Sequence, residues 1–455
     1  MQDPHVLIAG ASGYIGKEII TKILQEFPTC HITALSRNKQ TSTDPRVEWK
    51  SCDLFSLKSL EESIPKKVDV AFYLVHSMGP TAKLDQGSFA DYDLILADNF
   101  SRALKPTGIK QVIYLGGLIP PVQKLSLHLQ SRLEVEKTFE EYGLPTTIFR
   151  AGLILGDAGS SFQILVKLVN RLPLMICPQW TQTMTAPVDL KTVLHSLTSA
   201  MKDSSHIGKV YDLAGCEPLS YMQMMSVTAK AMGKKRFFMT VPFFTPTLSR
   251  LWVSLITGAP KNLVYPLIES LKHPMVFRPT HLFSNSWQGK KYEDLLSQVS
   301  FQTKPSRKFF TFSAETKTVR SVQRLPLPQG KNAKWVTDCY LEWLPKFLKP
   351  FIHVAVKDHK VIFGMFGDKL KLLEMQVSPE RSNPDRQLLY IVGGLLSSKG
   401  GRGRLEFRVV LNREYVIAAI HDFKPALPWF IYKYTQAKLH LFVMNKFAKH
   451  LQQKK

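Results

Sequence analysis

Two stretches of this 455-residue chain hold residues that could do chemistry together. The first is Gly10, Gly13 and Gly16, a G-x-x-G-x-x-G run between "HVLIA" and "KEIITKILQEF". Glycines at this spacing in a strand-to-helix turn suit a pyrophosphate. Gly10 allows the tight turn, Gly13 lets the backbone approach the phosphates, and Gly16 lets helix pack on strand. Ser12, Gly13, Tyr14, Ile15 and Gly16 then line a helix N-terminus that faces the anion. A P-loop does not fit, because Ala11 stands where its first glycine belongs and Glu18 follows Lys17. The second stretch is "LSLHLQSRLEVEK", residues 125–137, with His128 and Arg132 four positions apart. Four residues is about one helical turn, so both side chains face one cavity. Histidine titrates near neutrality and can act as a general acid, whereas arginine holds an anion or a hydroxyl but exchanges no proton. The pair reads as acid and fixed cation, or His128 is simply a helix residue near the turn. His76 is a second candidate acid.

The elements that must position these residues alternate. "HVLIA" reads as a strand, and Ile15, Ile19, Ile20, Ile23, Leu24 and Phe27 recur after it at helical spacing. "HITALSR" ends in Ser36 and Arg37, a hydroxyl and a guanidinium fork suited to a 2′-phosphate, so NADP is expected and NAD is the lesser choice. "VEWKSCD" leads to Asp53 and Leu54, where a carboxylate can accept from an adenine amino group. "VDVAFYLV" is apolar throughout, as a strand buried on both faces should be, and delivers Val75 and His76 to the sheet edge. "KQVIYLGG", with Gly116, and "TTIFRAG" repeat the pattern, with helices near 88–105 and 126–142 between them. The alternation predicts an α/β fold, a doubly wound parallel Rossmann sheet.

These motifs, with "YLVHSM" and "HLQSRLEVE", resemble the atypical and extended short-chain dehydrogenase/reductases over roughly residues 1–303. The nearest group resembles the NAD(P)H-binding proteins related to the 39 kDa accessory subunit of respiratory complex I. "YDLAG…LSYMQMMSVTAKAMG" and "YEDLLSQV" are similar to that family's substrate-side segments. The resemblance implies an oxidoreductase whose phosphate-binding glycines are Gly10, Gly13 and Gly16 and whose adenine contact is Asp53. In active members of that family a Tyr donates a proton to the substrate carbonyl, and a Lys four residues later tunes it and holds the ribose. Here those places hold His128 and Arg132. The chain is therefore an oxidoreductase with unusual catalysts, acting on an apolar carbonyl, quinone or lipid-like compound, or a non-catalytic NADP(H) sensor or assembly factor, or a lipid-handling protein at the membrane surface.

The last part of the chain changes character. Residues 304–455 carry 28 Lys and Arg against 11 Asp and Glu, whereas residues 1–303 carry 32 against 25. This excess suits either a solvated surface or an anionic partner, lipid headgroups or nucleic acid, and composition does not choose between these. "TKPSRK" and "VQRLPLPQGKNAK" read as the edges of a domain change, placing a second domain at 304–455. "WVTDCYLEWLPKFLKPF" suggests a short helix. "HKVIFGMF", "LKLLEMQVSPE", "RQLLYIVGGLL", "RLEFRVVL" and "EYVIAAIHDF" follow as strands. "SSKGGRGR" reads as a turn between two of them, which makes nucleic acid an unexpected partner. "ALPWFIYKYTQAKLHLFVMNKFAKHL" reads as one long helix from Pro428, with an apolar stripe of Tyr434, Ala437, Leu441, Met444, Ala448 and Leu451. An antiparallel sheet around a long C-terminal helix is the helix-grip design. The stretch also resembles an uncharacterised domain fused behind such NAD(P)-binding proteins in bacteria, most closely in "GRLEFRVVL", "YVIAAIHDFKPALPWFIYKYTQAKLHLFVM" and "FAKHL". Five scattered cysteines, no room for a signal peptide and no run of 18 apolar residues set the expectation of a cytoplasmic chain with, at most, peripheral membrane contact.

Overall fold

The structure is a computed structural model. It describes residues 4–77, 84–241, 246–283, 290–302, 318–366, 369–398, 400, 401 and 403–454. The chain divides into two compact units, Met1–Gly79 with Leu96–Phe310, and Pro80–Ile95 with Thr311–Lys455.

The first unit is built on a seven-stranded sheet. Strands β1 (His5–Ala9), β2 (His31–Ser36), β3 (Val47–Ser51) and β4 (Val70–Tyr73) come first. The next strand in the chain, β5 (Leu84–Gln86), belongs to the second unit. Strands β6 (Gln111–Gly117), β7 (Thr146–Ala151) and β8 (Val210–Leu213) complete the first sheet in the order β8-β7-β6-β4-β1-β2-β3, every pair parallel. Chain direction across the sheet reverses beside β1, which opens a crevice there at the carboxyl ends. Val6, Leu7, Ile8, Val70, Ala71 and Phe72 have no exposed surface, as strands covered on both faces require. Helix α1 (Tyr14–Glu26) buries Ile19, Ile20 and Ile23, the periodic apolar face of its sequence. Helix α2 (Phe89–Leu104) is followed by α3 (Leu127–Glu141), whose N-cap Ser126 accepts from the Leu129 amide at 3.3 Å.

Helix α3 is held by aromatic packing and one buried ion pair. The Phe139 ring lies 5.2 Å from Tyr73 on β4 and 5.6 Å from Tyr114 on β6, both edge-on. Glu136 accepts from Arg150 of β7 at 2.9 and 2.5 Å, a bidentate pair that pins the helix to the strand. Further along, α4 (Ser160–Arg171), α5 (Tyr221–Ala231), α6 (Pro246–Thr257) and α7 (Lys261–Ser270) assemble a second apolar cluster in this unit.

The second unit has an eight-stranded sheet. After β9 (Val319–Pro326) and α8 (Ala333–Phe347) come β10 (His353–Lys357), β11 (Lys360–Met365), β12 (Leu370–Val377), β13 (Arg386–Gly393), β14 (Arg404–Val410) and β15 (Tyr415–Phe423). The order is β10-β11-β12-β13-β14-β15-β9-β5, antiparallel except for the pairing of β9 with β5. Helices α9 (Trp429–Tyr434) and α10 (Gln436–Gln452) close the chain. Leu405, Phe407 and Val409 on β14 join Val336, Tyr340, Met444 and Phe447 from α8 and α10 in one core.

Several expectations change here. The doubly wound parallel sheet is present as read. The division at 304, however, gives Pro80–Ile95 to the wrong side, because β5 extends the second sheet. Gln323 Nε2 donates to Gln86 O at 3.0 Å and Gln86 Nε2 to Ala437 O at 2.9 Å, both long-range bonds that local sequence cannot announce. That strand also makes the sheet mixed rather than antiparallel. "VQRLPLPQGKNAK" is no linker, since it begins inside the buried strand β9. "TKPSRK" lies outside the described residues. The C-terminal helix is broken at Thr435, where φ −117° and ψ −86° leave the helical range. Tyr434 drops out of the stripe and is exposed, while Val443 and Phe447 enter it.

Candidate active site

The phosphate turn follows from strand and helix meeting head-on. Gly10 has φ +89°, and a Cβ there would sit 2.7 Å from Leu74 O on the adjoining chain, so only glycine fits. A Cβ on Gly16 would overlap Gly10 O and lie 2.7 Å from Ala11 Cα, which fixes how closely α1 meets the turn. Gly13 differs, because its hypothetical Cβ meets only Gly10 O, at 3.1 Å. It is the N-cap of α1, no side chain caps the helix there, and the first turn contains no acid. Its opening N–H groups are thus left for an outside acceptor beside exposed Ser12 and half-buried Tyr14 and Ile15. These residues fit a dinucleotide pyrophosphate.

Along the carboxyl edge, Ser36 ends β2 with its hydroxyl accepting from the Asn38 amide at 3.3 Å, and Arg37 beside it is exposed. Asp53 Oδ1 accepts from the Phe55 amide at 3.2 Å, and Leu54 is buried, its carbonyl taken by Asn99. Val75 and the exposed His76 follow β4, and Gly116 lies at the carboxyl end of β6.

Helix α3 brings the second group to the same edge. The His128 ring lies 5.3 Å from the His76 ring, and Arg132 Nη1 donates to Val75 O at 3.5 Å. The structure therefore gathers Val75, His76, His128 and Arg132. Tyr114 is inside β6, fully buried, with its hydroxyl 3.4 Å from Arg132 O. Sequence reasoning missed what orients His128. Its Nδ1 is 3.0 Å from Ser270 Oγ at the end of α7, and Ser270 Oγ is 2.9 Å from Ser126 Oγ. Ser270 donates its own proton to Pro266 O at 3.0 Å. With its proton so placed, the serine oxygen can accept from His128 Nδ1–H in the tautomer that carries the proton there.

His128, Ser270 and Gly117 border a cavity of about 160 Å³. Its other walls include Leu165 on α4, Met224 on α5, Val253 on α6, and Val264 and Ile268 on α7. A cavity near 150 Å³ is the size that holds one benzene ring. Tyr221 also lines it, its phenol pushed up to about 12 by burial, so it stays protonated. The α6–α7 segment was not read from the sequence, although Val264, Leu267, Ile268 and Leu271 recur there at helical spacing.

Parallel strand order, glycine turn and edge residues define a Rossmann-type fold of the kind that binds dinucleotides. A model of the NmrA-like family matches residues 2–246, more than half of the sequence, and the chain belongs to that family. It is similar to the auxiliary protein GraX of Staphylococcus aureus, 35% identical over 114 residues, which is 25% of this chain and 36% of that protein. The chain thus spans about a third of that relative's length. Among solved structures, the Citrobacter sp. triphenylmethane reductase complexed with NADP(H) matches with a TM-score of 0.51 at 15% identity, over 64% of this chain and 99% of that one. The Escherichia coli NADPH-dependent quinone oxidoreductase complexed with NADPH matches with a TM-score of 0.50 at 17% identity, over 64% and 98%. At such identities the likeness is one of fold.

Proposed function

We propose that the protein is an NADP(H)-dependent oxidoreductase that reduces an apolar carbonyl compound, with quinones and lipid-like carbonyls as the substrate class. One observation carries the reading: His128, oriented by Ser270, stands at the mouth of an apolar cavity of about 160 Å³ on the cofactor edge of the sheet. NADP(H) is favoured by the exposed Arg37 beside Ser36, and two structures of like fold are described with NADP(H) or NADPH. Gly10, Gly13 and Gly16 would hold the pyrophosphate, with Asp53 towards the adenine. A bound NADPH would supply the hydride that the carbonyl carbon receives. His128 Nε2 releases a proton to the carbonyl oxygen, so that the carbonyl becomes an alcohol, and Ser270 keeps the imidazole oriented by accepting from Nδ1. Arg132 would lie against the ribose or phosphate while its guanidinium leans on Val75 O. The apolar walls exclude water from the reacting carbon.

Two further parts belong to the same reading. The second unit is of helix-grip type, supported by the antiparallel run from β10 to β9 and by α10 packed against β9. The protein works in the cytoplasm, and among the described residues no helix is long and apolar enough to cross a membrane. A sensor without turnover is favoured by one feature, the arginine at the place of the family's lysine.

The test is NADPH oxidation against a panel of quinones and aromatic carbonyls. His128→Ala should lower kcat by about 10²–10⁴-fold with NADPH affinity little changed. Wild-type turnover in His128→Ala, with loss in Tyr221→Phe or in a His76 variant, would move the acid. No turnover on any member of the panel, with NADPH bound, would favour the sensor.

A further inference from the structure

The second unit exposes more aromatic surface on its C-terminal helices than its core requires. Ala437, Val443, Met444, Phe447 and Leu451 already fill the inward side of α10. Outside that core, Phe430 is 74% exposed, Tyr434 51%, Leu439 54% and Phe442 49%. Isolated apolar residues on a surface mean little, but these lie together on two consecutive helices. On α10, Lys438, Leu439, Phe442, Lys446 and Lys449 recur three and four residues apart and share one exposed face. The face continues onto α8, whose Phe347 ring lies 6.1 Å from Phe442. Beyond it come exposed Lys346 and Lys349 and the 61% exposed Phe351.

The charge on this face has one sign. From Phe423 to the last residue the sequence holds seven lysines and no Asp or Glu. The ammonium groups stay close to the rings: Lys433 and Lys438 lie 5.4 and 5.3 Å from the Tyr434 ring centre, and Lys446 lies 5.4 Å from that of Phe442. No Asp or Glu lies on α9 or α10, whereas α8 carries Asp338, paired with Lys334, and exposed Glu342.

We propose that the exposed face of α9 and α10, extended by the end of α8, docks on the surface of an anionic lipid bilayer. Phe430, Leu439 and Phe442 would enter the headgroup–acyl boundary, with Tyr434 at headgroup level. The lysines would lay their methylene stems along the apolar layer and present their ammonium groups to lipid phosphates. A nucleic acid could take the lysines and stack on rings but has no use for exposed Ile431 and Leu439. A bilayer uses both sets at once. The attachment is peripheral, since among the described residues no helix can span the membrane. The proposal does not rest on the reductase reading, because every residue it uses belongs to the second unit.

The experiment is flotation of the full chain with vesicles of phosphatidylcholine alone and of phosphatidylcholine with phosphatidylglycerol, across a salt series. The protein should float with the anionic vesicles at low salt, detach at high salt, and ignore the neutral ones. Lys438→Gln with Lys446→Gln should weaken partitioning about twenty-fold or more, from roughly fivefold per basic residue near an anionic surface. Phe430→Ser with Phe442→Ser should remove most of the binding. Both variants change exposed residues, so melting temperature and NADPH affinity should stay at wild-type values. Absence of flotation with anionic vesicles overturns the proposal. So does unchanged flotation in both double variants, which would place the contact on another surface. Binding to duplex DNA or transfer RNA that survives Phe430→Ser with Phe442→Ser, without vesicle binding, overturns it in favour of a nucleic-acid face. A dimer dispersed by the Phe variants, again without vesicle binding, would make the face an interface between copies of the chain.

Discussion

The two sheets treat polar side chains in opposite ways. In the first, apart from buried pairs such as Arg150 with Glu136 and Asp212 with Arg278, polar groups gather at the carboxyl ends of the strands: Ser12 at the turn, Arg37 after β2, His76 after β4, and His128 beside the cavity. In the second, they sit within the face of the sheet and answer one another. Arg386, Glu406, Arg408 and His421 are each at most 8% exposed. Glu406 accepts from Arg386 Nε at 2.6 Å, from Arg408 Nε at 2.9 Å and from His421 Nε2 at 3.1 Å. Burial works against the Glu406 charge, but Arg408, the His421 bond and Arg386 together hold its carboxyl well below the ordinary range. Burial, with Arg404 nearby, pushes His421 down to about 4, so it is a neutral donor at pH 7. Buried, displaced titration is a common sign of an active site. Here it marks the network that braces a sheet, and the candidate site is found instead where polar groups meet empty volume.

Gly13→Val is the sharpest way to break that contrast. A valine at the N-cap of α1 would fill the pyrophosphate's place while meeting little of the protein, so NADPH affinity should fall about a hundredfold or more, with unchanged melting. Isothermal titration beside a thermal melt checks it, and unchanged NADPH affinity in a folded variant would remove the turn from the site.

Glu406→Gln should do the reverse. It leaves two buried arginines without their carboxylate and should cost the second unit about 3–5 kcal/mol. Amide exchange in β14 and β15 should accelerate while NADPH affinity holds. Equal stability in this variant would mean that the network is dispensable.

Acid should reach the second unit before the first. His421 and His440 are both lowered by burial to about 4. A lowered folded pKa means that the unfolded chain binds protons first as pH drops. Their contribution is therefore intact above about 6.5 and is lost as pH falls from there towards 4, by roughly 3 kcal/mol for each group over the whole window. Hydrogen exchange at pH 7 and at pH 4.5 should show β14, β15 and α10 opening more readily than β1 and β4.

The smallest effect is at Arg37. Its replacement by Ala should weaken NADPH by about 1–3 kcal/mol and leave NADH unchanged, for a lost charge-assisted contact to the 2′-phosphate. Equal affinity of the wild-type protein for the two cofactors would separate Arg37 from cofactor choice.

The legible parts of this molecule share a physical trait. β1, α1 and the glycines between them are specified by neighbours within a few positions: a run of apolar residues, a turn with no room for Cβ, a helical period. β5 and β9 were missed because their bonding partners are remote in the chain, Leu84 pairing with Val319 and Val319 with Phe423. The break at Thr435 was missed because the stripe through Tyr434 and Ala437 fits a helix whether or not the chain bends between them. His128 and Arg132 were found by spacing, whereas Ser270, 142 positions from His128, could be found only by folding.

The sequence by itself determined the parallel sheet, the phosphate turn, the basic second part and the absence of a Tyr–Lys pair on α3, because each is written in local spacing and residue type. Tertiary structure alone decided that α4 to α7 enclose an apolar cavity at His128, that Ser270 orients its ring, and that Leu84–Gln86 completes a sheet formed from the far end of the chain. Cavities, hydrogen bonds between distant side chains and strand pairings depend on which surfaces meet, and the energy that selects them is gained only when remote segments are already in place.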